Sequence, residues 1–285
     1  MSTAENRNLG RLATAAPKFR VNDASLAGKI AYACLPLRQN IVLSNLQLAF
    51  GESLNDAEIR HLARAFYSHL LRSLWEFGTA SFSRATPVRV ENPEIAFEAL
   101  QARSGLLLMA GHTGSWGVTL ETAIRQYPEF RDRISVLVRQ FRPAWLRSIF
   151  VARLKRAGIN VLAKRRSMNS ILQRLAENQV VGFVMDQHAS PREAVRVNFF
   201  GRPAWTFRSL AVVARRSGAP VVPAAVYREQ GCHVFRLEPP LMQVVTNDFE
   251  HDIRVNTQQY NHALERIIQR HPEQWIWNHR RWKEG

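Results

Sequence analysis

The chain has 285 residues, 46% of them hydrophobic and 22% charged, with 14 Gly and 13 Pro. These proportions exclude collagen-like, low-complexity and wholly disordered chains, and the length suffices for one large α/β domain with a full core. Lysine and arginine number 39 against 23 aspartate and glutamate, and the net charge of +16 calls for an anionic partner: nucleic acid, or a membrane surface carrying acidic lipid or phosphate.

Residues 1–23 are polar and are expected to form a flexible N-terminal segment ahead of one domain over 24–285. Their opening, MSTAENRNLGRLATAAPKFR, has no continuous apolar core, so no signal peptide is expected. From Ala24 to Phe50 the pattern is helical and amphipathic, interrupted at Pro36. The clearest helix is predicted between Asp56 and Ala80, where Ile59, Leu62, Ala63, Phe66, Leu70, Leu74 and Phe77 fall at helical spacing and Ser53 to Asp56 reads as a capping box. From Val88 onward the pattern alternates. Strand-like runs stand at Gly105–Ala110, Ile134–Val138, Val180–Met185, Pro220–Val226 and His233–Leu237, with helical stretches near Trp145–Ala157, Met168–Glu177 and Trp205–Ser217. A last helix is expected over Asp252–Arg270, ending before Pro272. Apolar strands with helical flanks predict an α/β fold: a single-domain sandwich with a mostly parallel sheet flanked by helices. The apolar runs fall short of the ~20 residues a membrane span needs, so contact with a membrane is expected to be peripheral. Cys34 and Cys232 lie far apart with no zinc-ligand spacing; they read as idle thiols, and no metal site is expected.

Three segments carry possible chemistry. The run Gly105–Ala110 leads into GHTGSWG at 111–117, a glycine-rich turn that presents backbone N–H groups and one side chain, His112. A neutral imidazole there is either a general base for a hydroxyl or amine, or a residue that caps the turn. The glycines make no dinucleotide fingerprint, and no Walker lysine follows. In GFVMDQ at 182–187, Asp186 follows an apolar strand, where a carboxylate orients an imidazole or caps a turn. In NFFGRPAWT at 198–206, Gly201 and Pro203 make a turn from which Arg202 projects, as a basic rim to a lipid-accepting groove or as a plain turn over the core. Lys164, with Arg165 and Arg166, reads equally as a grip for a carrier-protein helix or phosphates and as a solvated turn. The tryptophans of HPEQWIWNHRRWK at 271–283 suit either a lipid headgroup interface or packing. Arg215 and Arg216 are accounted for by the macrodipole of the helix they end.

In their order, the His-Gly turn, Met-Asp-Gln, Phe-Phe-Gly-Arg-Pro, GAPVVPAAVYRE at 218–229 and the closing HPEQWIWNHRRWK resemble the bacterial lipid A biosynthesis acyltransferases. These form the lauroyl and myristoyl branch of the lysophospholipid acyltransferase superfamily. RQNIVLSNLQLAFG at 38–51 is similar to that branch's early helix, so the resemblance spans about Arg38 to Lys283. It implies a glycerolipid acyltransferase-like fold and an enzyme at the cytoplasmic face of the inner membrane. Such an enzyme moves an acyl group from an acyl carrier protein or coenzyme A thioester to a hydroxyl of an anionic membrane lipid, with no cofactor. It further implies that His112 is the base, that Arg139 lies near the acceptor, and that Asp186 holds the second acidic position.

One departure stands out. Five residues past His112, where the family's motif has Asp or Glu, this chain has Gly117. Two carboxylates are candidates to orient the imidazole instead: Glu121, one helical turn on, and Asp186, from a neighbouring strand. Asp186 is the expected one, because the C-terminal ends of adjacent parallel strands open into one crevice. The alternative is a weak or inactive homologue that binds a lipid or a carrier protein. A nucleic-acid binder is not expected, since no helix-turn-helix, zinc or RNP-like pattern accompanies the charge.

Overall fold

A strand covered on both faces needs apolar side chains at successive positions, and Leu106 to Met109 supply them. Leu107 and Met109 enter one core, Leu106 and Leu108 the other. This strand lies at the centre of the computed structural model, which describes residues 21–34, 38–79, 87–138, 143–163 and 167–283. The main sheet has seven strands: β1 (Val88–Glu91), β2 (Leu106–Ala110), β3 (Ile134–Val138), β4 (Ile159–Ala163), β5 (Val180–Val184) and, after a separate hairpin, β8 (Val221–Glu229) and β9 (Cys232–Leu237). Their spatial order is β1-β9-β8-β2-β5-β3-β4. The strands β8, β2, β5, β3 and β4 run parallel, while β9 turns back antiparallel to β8 and β1 pairs parallel to β9.

Helices cover both faces of this single domain. On one lie α4 (Glu94–Gln101), α5 (Trp116–Gln126) and α6 (Ala144–Arg156), which pack Leu100, Leu120, Ile124 and Leu154 against Leu106, Leu108 and Ile134. On the other lie α1 (Leu26–Cys34), α2 (Gln39–Phe50), α3 (Asp56–Thr79), α7 (Met168–Ala176), α8 (Ser209–Ser217) and α9 (Phe249–Arg270), around Leu107, Met109 and Phe183. The hairpin β6 (Ala194–Phe199) and β7 (Arg202–Phe207) packs on α9. The fold class is therefore the expected one.

Several local expectations change. The cap of α3 is Asn55, not Ser53: its Oδ1 accepts from the amides of Ala57 and Glu58 at 2.9 and 3.0 Å, and Glu58 Oε2 accepts from the Asn55 amide at 2.7 Å. The turn in NFFGRPAWT is Phe200–Gly201, both at positive φ as a two-residue hairpin requires, while Pro203 lies within β7 opposite Asn198. Trp205 belongs to that strand and α8 begins only at Ser209. The strands β1 and β4, additional to the runs read from the sequence, form the two edges of the sheet with a single strand neighbour each. Arg215 does more than face a helix terminus, since its Nε donates to Asp252 on α9 at 3.0 Å. Trp275 and Trp277 are fully buried against Phe199, Phe50 and each other, so these two indoles pack in the core and not at a lipid headgroup interface. Cys34 and Cys232 are free. Of the polar N-terminal stretch, residues 1–20 lie outside the described residues; Asn22 donates to Glu273 at 2.8 Å.

Candidate active site

Strand register builds the site. Ala110 of β2 pairs with Val184 of β5 in parallel, so His112 and Asp186 each stand two residues beyond the same rung, at the C-terminal edge of the sheet. Asp186 Oδ1 accepts from His112 Nδ1 at 2.8 Å and Oδ2 from the His112 backbone amide at 2.5 Å. Gly111 makes this approach possible, because a Cβ there would stand 3.1 Å from Asp186 Oδ2. A third donor comes from the C-terminal segment: Trp275 Nε1 lies 2.8 Å from the same oxygen.

That segment runs beside the turn. Thr113 bridges to Trp275, and the Gly114 amide donates to the Gln274 carbonyl at 3.1 Å. Gly114 has a φ of +56°, and a Cβ on it would meet the Val226 carbonyl at 2.8 Å, so this corner of the turn is closed to other residues.

The electrostatics follow from the contacts. Asp186 is wholly buried, which alone would raise its pKa; the neighbouring His112 charge and the hydrogen bonds from His112 and Trp275 outweigh burial and bring it to about 2. An ionised carboxylate only accepts, so Nδ1 of His112 carries the proton and Nε2 is the basic nitrogen. The His112 side chain is 27% exposed, enough for a substrate to reach it. Nearby His279 is driven down to about 4 by burial, with Asp186 acting against that shift and His112 adding to it, so it stays neutral and adds no standing charge.

Of the residues singled out in the sequence, His112 and Asp186 are brought together. Glu121 is not joined to them: its oxygens accept from Arg125 at 2.7 Å and Arg153 at 3.0 Å. It ties α5 to α6. Arg202 is held by Glu52 at 3.0 Å, at the tip of the β6–β7 hairpin. Arg139 and Lys164 lie outside the described residues. Trp275 was missed as a site residue, although it lies in the closing segment that carries part of the resemblance.

Apolar surface adjoins the dyad. A cavity of about 50 Å³ lies behind Gly111 and Trp116, lined by Ala110, Val136, Phe183 and Val226; a second shares Leu108, Leu120, Ile134 and Phe235 with it and runs on to Tyr127 and Phe130. Trp116 packs edge-on against Phe150 of α6, and Phe150 also lies against Phe77 of α3. Gly117 faces that ring, which a Cβ would meet at 3.4 Å.

Comparisons with known proteins identify the family. The family model described as bacterial lipid A biosynthesis acyltransferase matches residues 11–284. The lipid A biosynthesis lauroyltransferase of Escherichia coli (strain K12) is 26% identical over 266 residues, covering 90% of this chain and 82% of that protein. This chain belongs to the bacterial lipid A biosynthesis acyltransferase family, and it is an enzyme that transfers an acyl group to a lipid.

Proposed function

We propose that the protein moves a fatty acyl group from an acyl carrier protein or coenzyme A thioester to a hydroxyl, or an amine, of an anionic membrane lipid, with His112 as general base. The observation that carries this reading is the His112–Asp186 pair at the ends of adjacent parallel strands. Nε2 takes the proton of the acceptor hydroxyl as its oxygen attacks the thioester carbonyl. Asp186 stabilises the imidazolium through Nδ1–H and keeps the tautomer fixed. The tetrahedral intermediate collapses with cleavage of the carbon–sulfur bond, and the thiolate leaves with the proton that Nε2 returns. Every proton is accounted for by one imidazole, so the step calls for no cofactor. The first methylenes of the acyl chain enter the apolar cavity behind Gly111; its room as it stands is too small to enclose a whole fatty chain, so side chains such as Leu120 must turn to admit more.

The lipid acceptor puts the enzyme at a membrane, and we place it peripherally on the cytoplasmic face of the inner membrane. No helix among the described residues is long and apolar enough to cross a bilayer. The net charge of +16 favours an anionic surface. Leu74 and Trp75 on α3 and Trp145 and Ile149 on α6 are exposed, on the two helices that meet through Phe77 and Phe150 beside Trp116.

Two measurements test the reading. Purified protein is given radiolabelled lauroyl-CoA, or lauroyl-acyl carrier protein in parallel, with extracted bacterial membrane lipid. Label should pass to a lipid and should fail to pass with His112→Ala; equal labelling by the variant ends the general-base account. Binding to phosphatidylglycerol vesicles should weaken markedly as salt shortens the screening length to ~8 Å at physiological ionic strength, and equal binding to phosphatidylcholine vesicles would exclude electrostatic docking.

A further inference from the structure

The turn that carries His112 is held at its far end by a second buried carboxylate. Ser115 is the N-cap residue of α5, yet its side chain makes no capping bond to the helix. Its Oγ donates instead to Oε2 of Glu76, on α3, at 2.5 Å. The first turn of α5 contains no acid of its own. A helix N-terminus carries unsatisfied N–H groups and a partial positive charge, and an anion there is stabilising. At Gly117, where the family's motif would place a carboxylate, the Phe150 ring stands against the backbone.

Glu76 is not a casual neighbour. Arg228 of β8 donates to both of its oxygens from Nη1 at 3.0 Å, Arg72 donates at 3.1 Å, and the Glu76 and Arg228 side chains are only 10% and 7% exposed. Arg228 also donates to Ser73 Oγ at 3.0 Å and to His69 Nδ1. Its backbone amide and carbonyl are both bonded to the Gln274 side chain at 2.8 Å, and Gln274 accepts from Gly114. The next residue, Trp275, holds Asp186. The contacts thus close a circuit from Glu76 through Arg228, Gln274 and Trp275 to Asp186, and back along the turn to Ser115.

The cluster is a scaffold and not a second nucleophile. Arginine only donates, so His69 Nδ1 accepts from Arg228 and Nε2 carries the proton. That proton faces Ser73 Oγ at 3.3 Å, and an imidazole in this tautomer has no lone pair with which to activate the serine.

We propose that Glu76, clamped by Arg228, is the positioning residue of the catalytic turn: from α3 it supplies at the N-terminus of α5 the anion that the helix's own first turn lacks, and through Ser115 it fixes His112. Its effect on turnover rests on the reading of His112 as base; its hold on the turn does not.

The test separates the two. Glu76→Gln combined with Arg228→Met removes both charges, so no orphaned ion is left in the interior. Glu76→Gln combined with Ser115→Asp moves the carboxylate across the hydrogen bond and keeps it in the cluster of Ser73 and Arg228. Amide exchange over 111–117 is followed by mass spectrometry, and kcat and KM are measured with lauroyl-CoA and membrane lipid. In the first double variant, exchange of the turn should quicken and kcat should fall about ten- to a hundredfold with KM for lauroyl-CoA little changed, since small misplacements of a reacting group cost that much. In the second, both should return towards wild type. Unchanged turn exchange in a folded first variant overturns the proposal, and so does a loss that Ser115→Asp fails to repair. If the first variant does not fold, the second decides alone: near-wild-type exchange and kcat support the proposal, and their loss overturns it. Should His112→Ala retain full transfer, the general-base reading fails while the exchange result still judges Glu76.

Discussion

Asp186 and Glu76 grip the same seven-residue turn from its two ends, and the difference between them lies in what each carboxylate faces. Asp186 receives two neutral N–H donors and one imidazole, a group that gains and loses a proton. Glu76 receives two guanidinium groups and a hydroxyl, with Arg228 as a permanent buried cation, and the His233 imidazole 3.7 Å away is pushed towards its neutral form by burial. A carboxylate opposite a titratable partner can follow a charge that appears during a reaction. One opposite a fixed cation is already neutralised and has little left to give to chemistry. The first geometry is therefore suited to catalysis and the second to holding the backbone still. Two buried acids within one site need not share a role, and their donors tell them apart.

The sharpest break of this comparison is removal of the carboxylate charge that follows the proton. Asp186→Asn keeps the shape but loses the acceptor that fixes the His112 tautomer, and acyl transfer should fall roughly 10³- to 10⁴-fold, nearly as far as in His112→Ala. Steady-state label transfer from lauroyl-CoA to membrane lipid measures it. A loss smaller than that of the Glu76 and Arg228 pair would reverse the assignment of roles.

The third donor to Asp186 gives a smaller effect and a pH signature. Trp275→Phe keeps an aromatic ring among Phe199, Trp277 and Trp282 but removes a hydrogen bond to a buried charge, worth roughly 1.5–3 kcal/mol. Transfer should drop about four- to tenfold if half of that is felt in the transition state. The acid limb of stability carries a sign that can be worked out. The Asp186 pKa is lowered in the fold from 3.8 to about 2, so its contribution is fully present above about pH 4 and is lost as pH falls towards 2. Its size is about 2 kcal/mol. Trp275→Phe should therefore move acid unfolding to higher pH, followed by tryptophan fluorescence or circular dichroism. An unchanged midpoint would mean that the indole N–H contributes nothing to the ionised state.

How far the sequence reveals these two acids is itself unequal. Asp186 is legible because it follows an apolar run, and the end of a parallel strand is a place where sheets put ligands; the β2–β5 register then needs only the same two-residue offset to bring it to His112. Glu76 gives no such sign. On α3 it reads as an ordinary polar position of an amphipathic helix, and only the fold shows that β8 sends Arg228 to meet it. The main strands, α3 and α9 were visible in apolar patterning, since long helices and fully buried strands carry their own signal. The edge strands β1 and β4 and the β6–β7 hairpin were not, because other residues interrupt their apolar pattern: Arg89 in β1, Asn160 in β4, Arg196 and Asn198 in β6 and Pro203 in β7. Trp275 was visible as one of a cluster of indoles, but not as a donor, since no periodicity indicates where an indole N–H points.

The last test concerns the carboxylate that sequence spacing offers and geometry declines. Glu121 lies one helical turn past Gly117, yet its two oxygens are engaged by Arg125 on its own helix and Arg153 on α6. Arg153 also donates to the Phe77 carbonyl at 2.9 Å, so this pair joins α5, α6 and the end of α3 on the flank where Phe150 packs. With Glu121 and Arg153 only 19% and 11% exposed, their bond should count for more than a surface ion pair. Glu121→Gln keeps the shape and leaves Arg153 its carbonyl partner, so the expected cost is about 1 kcal/mol of stability, read as a fall of a few degrees in Tm. Acyl transfer measured below that temperature should stay within about threefold of wild type, because α6 meets the turn through Phe150 at Trp116 and Gly117, four and five residues along from His112. A loss on the scale of Asp186→Asn would show that Glu121 leaves its arginines during turnover and serves the imidazole after all. The comparison would then have to be redrawn with Glu121 on the chemical side and the Arg153 bond as its resting state.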